Sequence, residues 1–420
     1  MADRRILYVS PRIPYPLRDG TALRLFHLLR AYAGVARVDL AFFYADTAQL
    51  EAVQALKPYC ATFHPVPLST AYRRLSANVP LWRRRVEQAA TTIPAIGLRS
   101  PEMCQVVERQ ARLADFVHVS KLWMAPSIPK LTGKTGLVLD LDDVETVLKS
   151  RNLRIDPPPR WQRRLFERYD QVRLWLYQSR AVRRADRVFV CAARDRQRLG
   201  GRNIVVIPNG AVIPPEILPD ESDGKTLLCA GSLSYGPNVD GLRFFIRETL
   251  PLIRSQIPDV RLLIIGRAPG EEVLKLHDGE RIQVVGDVPA VEPFYRRATI
   301  SLVSLRIAGG TRLRILEAFA LGRAVVSTSI GCEGLEVTNG QHILISDDPR
   351  QFAHSCVTLL RRPELRGTLV RAARKMVEEK YKWESIERKV GMAAEDLMRE
   401  RDSLKAATKR RPSRGEPSES

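Results

Sequence analysis

AGGTRLRILEAFALGRAVVSTSIGCEG, running from Ala308 to Gly334, reads as a loop, a helix, a buried strand and a second loop. The Gly309-Gly310 pair can take backbone angles closed to other residues, so a ligand can approach the main chain there. Thr311 is the expected N-cap. Leu313, Leu316, Ala320 and Leu321 follow at helical spacing, Gly322 is the expected stop, and AVVSTS is a short strand with both faces covered. A loop that opens a helix at the end of a strand presents unpaired N–H groups and a partial positive charge, the arrangement that binds phosphate.

Outward from this stretch, short apolar runs alternate with helical segments. KTLLCAGSL, VRLLIIGRAPG, IQVVGDV and ISLVSL precede it and mark a doubly wound βα unit. Toward the N-terminus, the strands RILYVS (5–10) and VARVDLAFFY (35–44) flank a proline-rich loop around Gly20 and a helix in which Leu23, Phe26, Leu29 and Arg30 keep helical spacing. LADFVHVSKLWMAP (113–126) and GLVLDLDDVET (136–146) each read as a strand running into a loop. Open α/β sheets bind ligands at the carboxyl ends of their strands, which makes His118, Asp142 and Asp143 candidates for the mouth of a cleft. Gly20 is a candidate for close backbone approach, with an ordinary turn glycine as its alternative. His118 has an alternative too, a buried histidine satisfied by a neighbouring backbone. Asp140, Asp142 and Asp143 close an apolar strand and need partners. Residues 157–195 break at three prolines and continue as a long basic helix, on which Leu165, Tyr169, Val172 and Leu176 form one stripe expected to face the core. Asn209-Gly210, inside VVIPNGAVIPP, is an expected turn.

GTRLRILEAFALGRAVVSTSIGCEGL resembles the donor-binding signature of retaining glycosyltransferases of the family-4 type, in particular the subgroup associated with exopolysaccharide and exosortase-linked sugar transfer. The resemblance implies an α/β protein of the GT-B fold, two Rossmann-like doubly wound parallel-sheet domains facing a central cleft. It places an N-terminal acceptor-side domain at 1–205, a C-terminal nucleotide-sugar donor-binding domain at 206–380, and a terminal helix at 381–400 that crosses back to the first domain. Trp383, Ile386, Val390 and Met392 are the expected buried side of that helix. Residues 401–420 are low in apolar residues and are expected to be disordered. The implied activity moves a sugar from a nucleoside diphosphate to an acceptor hydroxyl in bacterial polysaccharide or envelope glycan assembly. No cofactor and no metal are implied, the nucleotide sugar being a substrate; the D-x-D-D run would otherwise suit magnesium.

By the same resemblance, Glu317 stands where the family holds the ribose hydroxyls, and Gly309, Gly310 and Thr311 line the loop that cradles sugar and diphosphate. Asn209 faces the cleft, and Asp142 takes the place where many relatives carry a histidine near the reacting sugar. Two positions depart from the pattern. The family's earlier glutamate is Gly309 here, and the arginine and lysine that neutralise the leaving diphosphate are Ser232 and Asn238. A leaving diphosphate still needs positive charge. Arg312, beside the glycine pair in the first turn, is the first candidate; Arg267 and Arg314 follow, with solvent as the alternative for Arg314.

A chain of 420 residues, 45% hydrophobic and 27% charged, has the size and composition for two globular domains. No run reaches the length of a membrane span and the N-terminus leads directly into a strand, so a cytoplasmic protein is expected. Six dispersed cysteines argue against a zinc site or a disulfide framework, and the absence of G-x-G-x-x-G argues against a nicotinamide-dependent dehydrogenase. The formal charge of +20 calls for anionic partners. Beside the nucleotide-sugar donor and a glycan or lipid-linked acceptor, these include an anionic membrane at its inner face. AYRRLSANVPLWRRRVEQAA (71–90) suits such a surface, with Tyr72, Leu75, Leu81 and Trp82 among its arginines. No RNA motif, zinc finger or helix-turn-helix supports nucleic acid as a partner. A nucleotide-sugar epimerase on the same fold and a non-catalytic glycosyltransferase-like binding protein are the rival readings.

Overall fold

The computed structural model describes residues 4–68, 99–131, 135–155 and 157–409. One sheet holds β1 (Arg5–Ser10), β2 (Arg37–Tyr44), β3 (Thr62–Pro67), β4 (Phe116–Ser120), β5 (Gly136–Leu141), β6 (Arg187–Val190) and β7 (Ile204–Val206), in the order β3-β2-β1-β4-β5-β6-β7. The other holds β8 (Thr226–Ala230), β9 (Arg261–Gly266), β10 (Ile282–Gly286), β11 (Ile300–Val303), β12 (Ala324–Ser327) and β13 (Leu344–Ile345), in the order β10-β9-β8-β11-β12-β13. All of these pairings are parallel. Parallel sheets bury both faces under helices, so their strands read as continuous apolar runs. Accordingly, each sheet has a separate apolar core on either side of it. Strand order reverses at β1/β4 and at β8/β11, and the loops that follow these strands open at the crevices where such sheets bind ligands.

The signature helix spans Leu313–Ala320 and buries Ile315, Leu316, Ala318, Phe319 and Ala320. Its N-cap is Arg312, not Thr311 as expected from sequence. Gly322, at φ 77°, closes it with the N–H of Arg323 on the carbonyl of Ala318 at 2.8 Å.

The terminal helix, Trp383–Lys409, packs along the first helix, Gly20–Ala33, on the far side of the chain's crossing between sheets. Trp383, Ile386, Val390, Ala394, Leu397 and Met398 join the first sheet's core. Two expectations are corrected here. Met392 lies in solvent, and the helix continues through 401–409, where disorder was expected. Residues 410–420 and the basic-aromatic segment 71–90 lie outside the described residues. The two crossings run side by side: the Ala211 N–H donates to the carbonyl of Tyr381 at 2.8 Å, and Trp383 packs against Gly210.

The long basic helix is present as Trp161–Arg184, but it faces the other way from the sequence expectation. Its buried residues are Asp170, Arg173, Leu174, Gln178 and Val182. Leu165, Tyr169, Val172 and Leu176 are exposed, as are Trp161 and Trp175. Asp170 and Gln178 are satisfied locally: Lys149 and Arg173 pair with Asp170, and the Gln178 amide donates to Thr146 Oγ1 at 3.1 Å. That satisfaction is what lets a polar face turn inward.

Candidate functional site

The first sheet contributes a buried ionic frame. Arg24, on the first helix, forks onto Asp140 at the end of β5, with Nη2 to Oδ1 at 2.6 Å and Nε to Oδ2 at 2.9 Å. Its other arm donates to the carbonyl of Ile207 at 3.0 Å and to Asn209 Oδ1 at 2.9 Å. Asn209 in turn donates through Nδ2 to Asp142 Oδ1 and to Thr311 Oγ1, each at 3.1 Å. One buried amide thus ties the first sheet to the loop of the signature helix. Lys121, just past β4, holds Asp142 Oδ2 at 2.7 Å from a left-handed backbone at φ 76°. Such a conformation in a non-glycine residue is held by its surroundings, here the Lys121 N–H on the carbonyl of Asp140 at 2.9 Å. Burial opposes ionisation of Asp142, but Lys121 and Arg24 outweigh it and keep the carboxyl well below the usual range. Both its oxygens are engaged, Oδ1 also taking the Cys191 thiol at 3.3 Å.

Asp143 points the other way, onto the glycine pair. A Cβ on Gly309 would sit 3.0 Å from Asp143 Oδ1, and one on Gly310 would sit 2.7 Å from it and would run into the carbonyl of Asp142. Gly310 is at φ 61°. Only glycine lets the two halves close here. Burial and the neighbouring Asp142 raise the Asp143 carboxyl despite Lys121. Glu145, at the start of the next helix, is pushed up to about 7 by burial and by Asp143.

The second sheet contributes the signature helix. Glu317 accepts from the Tyr295 hydroxyl at 3.2 Å, and burial pushes its carboxyl up to about 7. Arg314 is half-buried one turn earlier, its guanidinium against Gly231 at the end of β8. It donates to Asn238 Oδ1 at 2.6 Å, while Asn238 Nδ2 donates to the carbonyl of Ser232 at 2.7 Å. Arg314 makes no ion pair among the described residues, and burial lowers its pKa. Arg312 lies 4.0 Å from Asp143 Oδ1, and its Nε is buried without a hydrogen-bond partner. Arg267 reaches across the cleft to Asp19 Oδ2 at 2.7 Å, and Gly20 packs directly against Leu313. Glu333, in the loop after β12, gathers Arg151 at 2.6 Å, Arg194 at 2.7 Å and Arg198 at 2.8 Å from the first half.

The structure therefore brings together Gly20, Asn209, Asp142, Asp143, Gly309, Gly310, Thr311 and Arg312 at one seam. Ser232, Asn238, Arg314 and Glu317 form a second group around β8 and the signature helix. His118 is in neither, which corrects its placement at the cleft mouth. It is fully buried within the first sheet, stacked on Tyr8 at 4.6 Å, with Nδ1 2.9 Å from the Tyr32 hydroxyl and Nε2 3.2 Å from Ser120 Oγ. Burial holds it neutral. Sequence reasoning missed Arg24, Lys121, Tyr295 and Asp19. The signal for the first two was present in Asp140 and Asp142, buried carboxylates that had to have cations. A cavity of about 230 Å³ under the Trp161–Arg184 helix, lined by Leu137, Leu139, Tyr177 and Arg180 among others, lies away from these groups.

Residues 224–362 match the family model described as "Glycosyl transferases group 1". A 44.6 kDa protein of the cps region of Klebsiella pneumoniae is 27% identical over 135 residues, 30% of this chain and 35% of that protein. The match thus spans about a third of the relative's length. Sucrose-phosphate synthase from Thermosynechococcus elongatus superposes with a TM-score of 0.67 at 17% identity, over 94% of this chain and all of the other. Staphylococcus aureus TarM, solved with UDP and alpha-GlcNAc-glycerol, gives 0.63 at 11% identity over 94% of this chain and 99% of its own. Anabaena HepE, solved with UDP and glucose, gives 0.61 at 16% identity, covering 94% of this chain and 100% of HepE. The fold is GT-B.

Proposed function

We propose that this chain, a GT-B protein carrying a group 1 glycosyl transferase segment, is a retaining glycosyltransferase that moves a sugar from a nucleoside diphosphate to an acceptor hydroxyl in bacterial polysaccharide or envelope glycan assembly. The observation that carries the reading is Arg314, a guanidinium without an ion pair among the described residues, one turn before Glu317 and against the end of β8. A cation that no carboxylate pairs at the carboxyl end of a parallel sheet is arranged to receive an anion from outside the chain.

In this reading Glu317 accepts from the ribose hydroxyls and Arg314 takes the diphosphate, with Asn238 and Ser232 holding the arginine where relatives place their own cations. Arg312, first in line from sequence, becomes the second cation, facing the glycine loop. Asp143 stands from the opposite half in the space above Gly309, and supplies the carboxylate for the sugar hydroxyls that the loop itself lacks. The leaving phosphate, its charge offset by Arg314, accepts the acceptor's proton as the new bond forms on the same face. No bound metal enters this reading. Closure of the cleft by the Arg267–Asp19 pair excludes water and limits hydrolysis. No helix among the described residues is long and apolar enough to cross a membrane. A cytoplasmic enzyme reaching its glycan or lipid-linked acceptor at the inner membrane face completes the proposal.

The test is calorimetric titration of UDP, GDP, ADP and dTDP into the wild type, Glu317→Ala and Arg314→Ala, beginning with UDP because TarM and HepE were solved with it. One diphosphate should bind. Arg314→Ala should weaken it by about tenfold or more, the worth of a charge-assisted hydrogen-bonded contact, and leave the corresponding nucleoside unaffected. A folded wild type that binds none of the four, or an Arg314→Ala variant with wild-type affinity, would refute the reading.

A further inference from the structure

The Trp161–Arg184 helix is built inside out. Its inward side holds Asp170, Arg173 and Gln178, while its outward side carries Trp161, Leu165, Val172, Trp175 and Leu176. The two tryptophans are 66% and 58% exposed. Positions 161, 165, 168, 172 and 176 fall on one stripe at helical spacing, and the only polar member is Arg168. Apolar side chains gathered on one face of a helix, rather than scattered singly, mark a surface that another body covers.

Charge decides which body. The helix has seven arginines against two carboxylates, and neither carboxylate serves the outer face: Asp170 is buried, and Glu167 pairs with Lys149 at 3.2 Å. Arg168 and Arg183 fall on the outer stripe at helical spacing, are exposed and make no ion pair among the described residues. A second copy would set arginine against arginine on a chain already at +20. A surface of anionic lipid satisfies both chemistries, because aromatic and aliphatic side chains settle at headgroup depth while arginines reach lipid phosphates.

We propose that the outer face of the Trp161–Arg184 helix lies flat on an anionic lipid bilayer and docks the first half of the molecule there. The proposal depends on nothing in the donor site, and its test makes no use of sugar transfer. Full-length protein is sedimented with vesicles of phosphatidylglycerol and phosphatidylcholine, and with vesicles of phosphatidylcholine alone, at about 0.15 M salt, where surface charges more than a Debye length of roughly 8 Å apart are screened. Wild type should pellet with the anionic vesicles and stay in solution with the neutral ones. Trp161→Ser with Trp175→Ser should lose about tenfold or more in partition, and so should Arg168→Gln with Arg183→Gln, with melting temperatures unchanged because these side chains are exposed. Brominated lipid should quench tryptophan fluorescence in the wild type and not in the double tryptophan variant. The idea is overturned by equal binding to neutral vesicles, by binding or quenching that survives the tryptophan pair, or by no binding at all. A wild-type dimer that the tryptophan variant dissolves would overturn it as well, by assigning the face to a second copy.

Discussion

At Glu317, burial lifts the carboxyl from 4.5 to about 7. Between those values the folded protein holds a proton that the unfolded chain has released, so this group lowers stability as pH rises through the window. A ribose hydroxyl donates to the ionised form. Nucleotide affinity should therefore rise with pH up to about 7 and then level, and Glu317→Gln should flatten the profile; titrations across the range measure both. The glycine pair makes a sharper claim. Gly309→Glu restores the family's residue but collides with Asp143, so it should lower nucleoside diphosphate release by about tenfold or more, as a misplaced group near the chemistry does. Adding Asp143→Gly should recover part of that loss, because the two carboxylates compete for one space. Gly310→Ala, forced at φ 61° against the Asp142 carbonyl, should cost about 1–3 kcal/mol in denaturant unfolding. That Glu317 lies on the signature helix was legible in the sequence, because it sits mid-helix, where register is secure. The surroundings of Arg312 and Arg314 were not, because the helix begins one residue later than Thr311 implied, and one residue turns a side chain by about 100°. For His118 the buried alternative was open from the sequence, but its partners, the Tyr32 and Ser120 side chains rather than a neighbouring backbone, were not.

The terminal helix shows how far periodicity reaches. It told that Trp383, Ile386 and Val390 form a buried side, and they do; Met392 falls close to half a turn off that line, on the solvent face, where apolar character alone misled. Ile386→Ala should cost about 2–4 kcal/mol, as buried large-to-small changes do, while Met392→Ala should stay within about 0.5 kcal/mol; urea unfolding of the two variants separates them. On the Trp161–Arg184 helix the stripe itself was legible and its direction was not. A 3.6-residue period says that a helix has two faces, and the partners that satisfy Asp170 and Gln178 decide which one turns inward. Those partners, Lys149 and Thr146, lie on a different helix.

Across the whole molecule, two parallel sheets were legible because alternating apolar runs and helical stretches admit few other folds. The ties between the halves were invisible, since they join residues far apart in sequence: Asp19 to Arg267, Asn209 to Thr311, and Glu333 to Arg151, Arg194 and Arg198. Glu333→Gln removes the carboxylate that those three guanidinium groups share. Glu333 is half-buried and Arg194 exposed, so losing these charge-assisted contacts costs about 1–3 kcal/mol, and the variant should open the cleft, seen as a larger radius of gyration in solution scattering, and bind nucleotide more weakly. The helix that completes the first core is made long after the rest of that core, and this sets an order on the ribosome. The surface of Phe26, Leu29 and their neighbours waits uncovered until Trp383 to Met398 have been made, roughly 10–40 s after β7 is complete at ordinary synthesis rates. During that interval the nascent first half is the species that chaperones meet, and a stalled message would release it with its apolar flank bare.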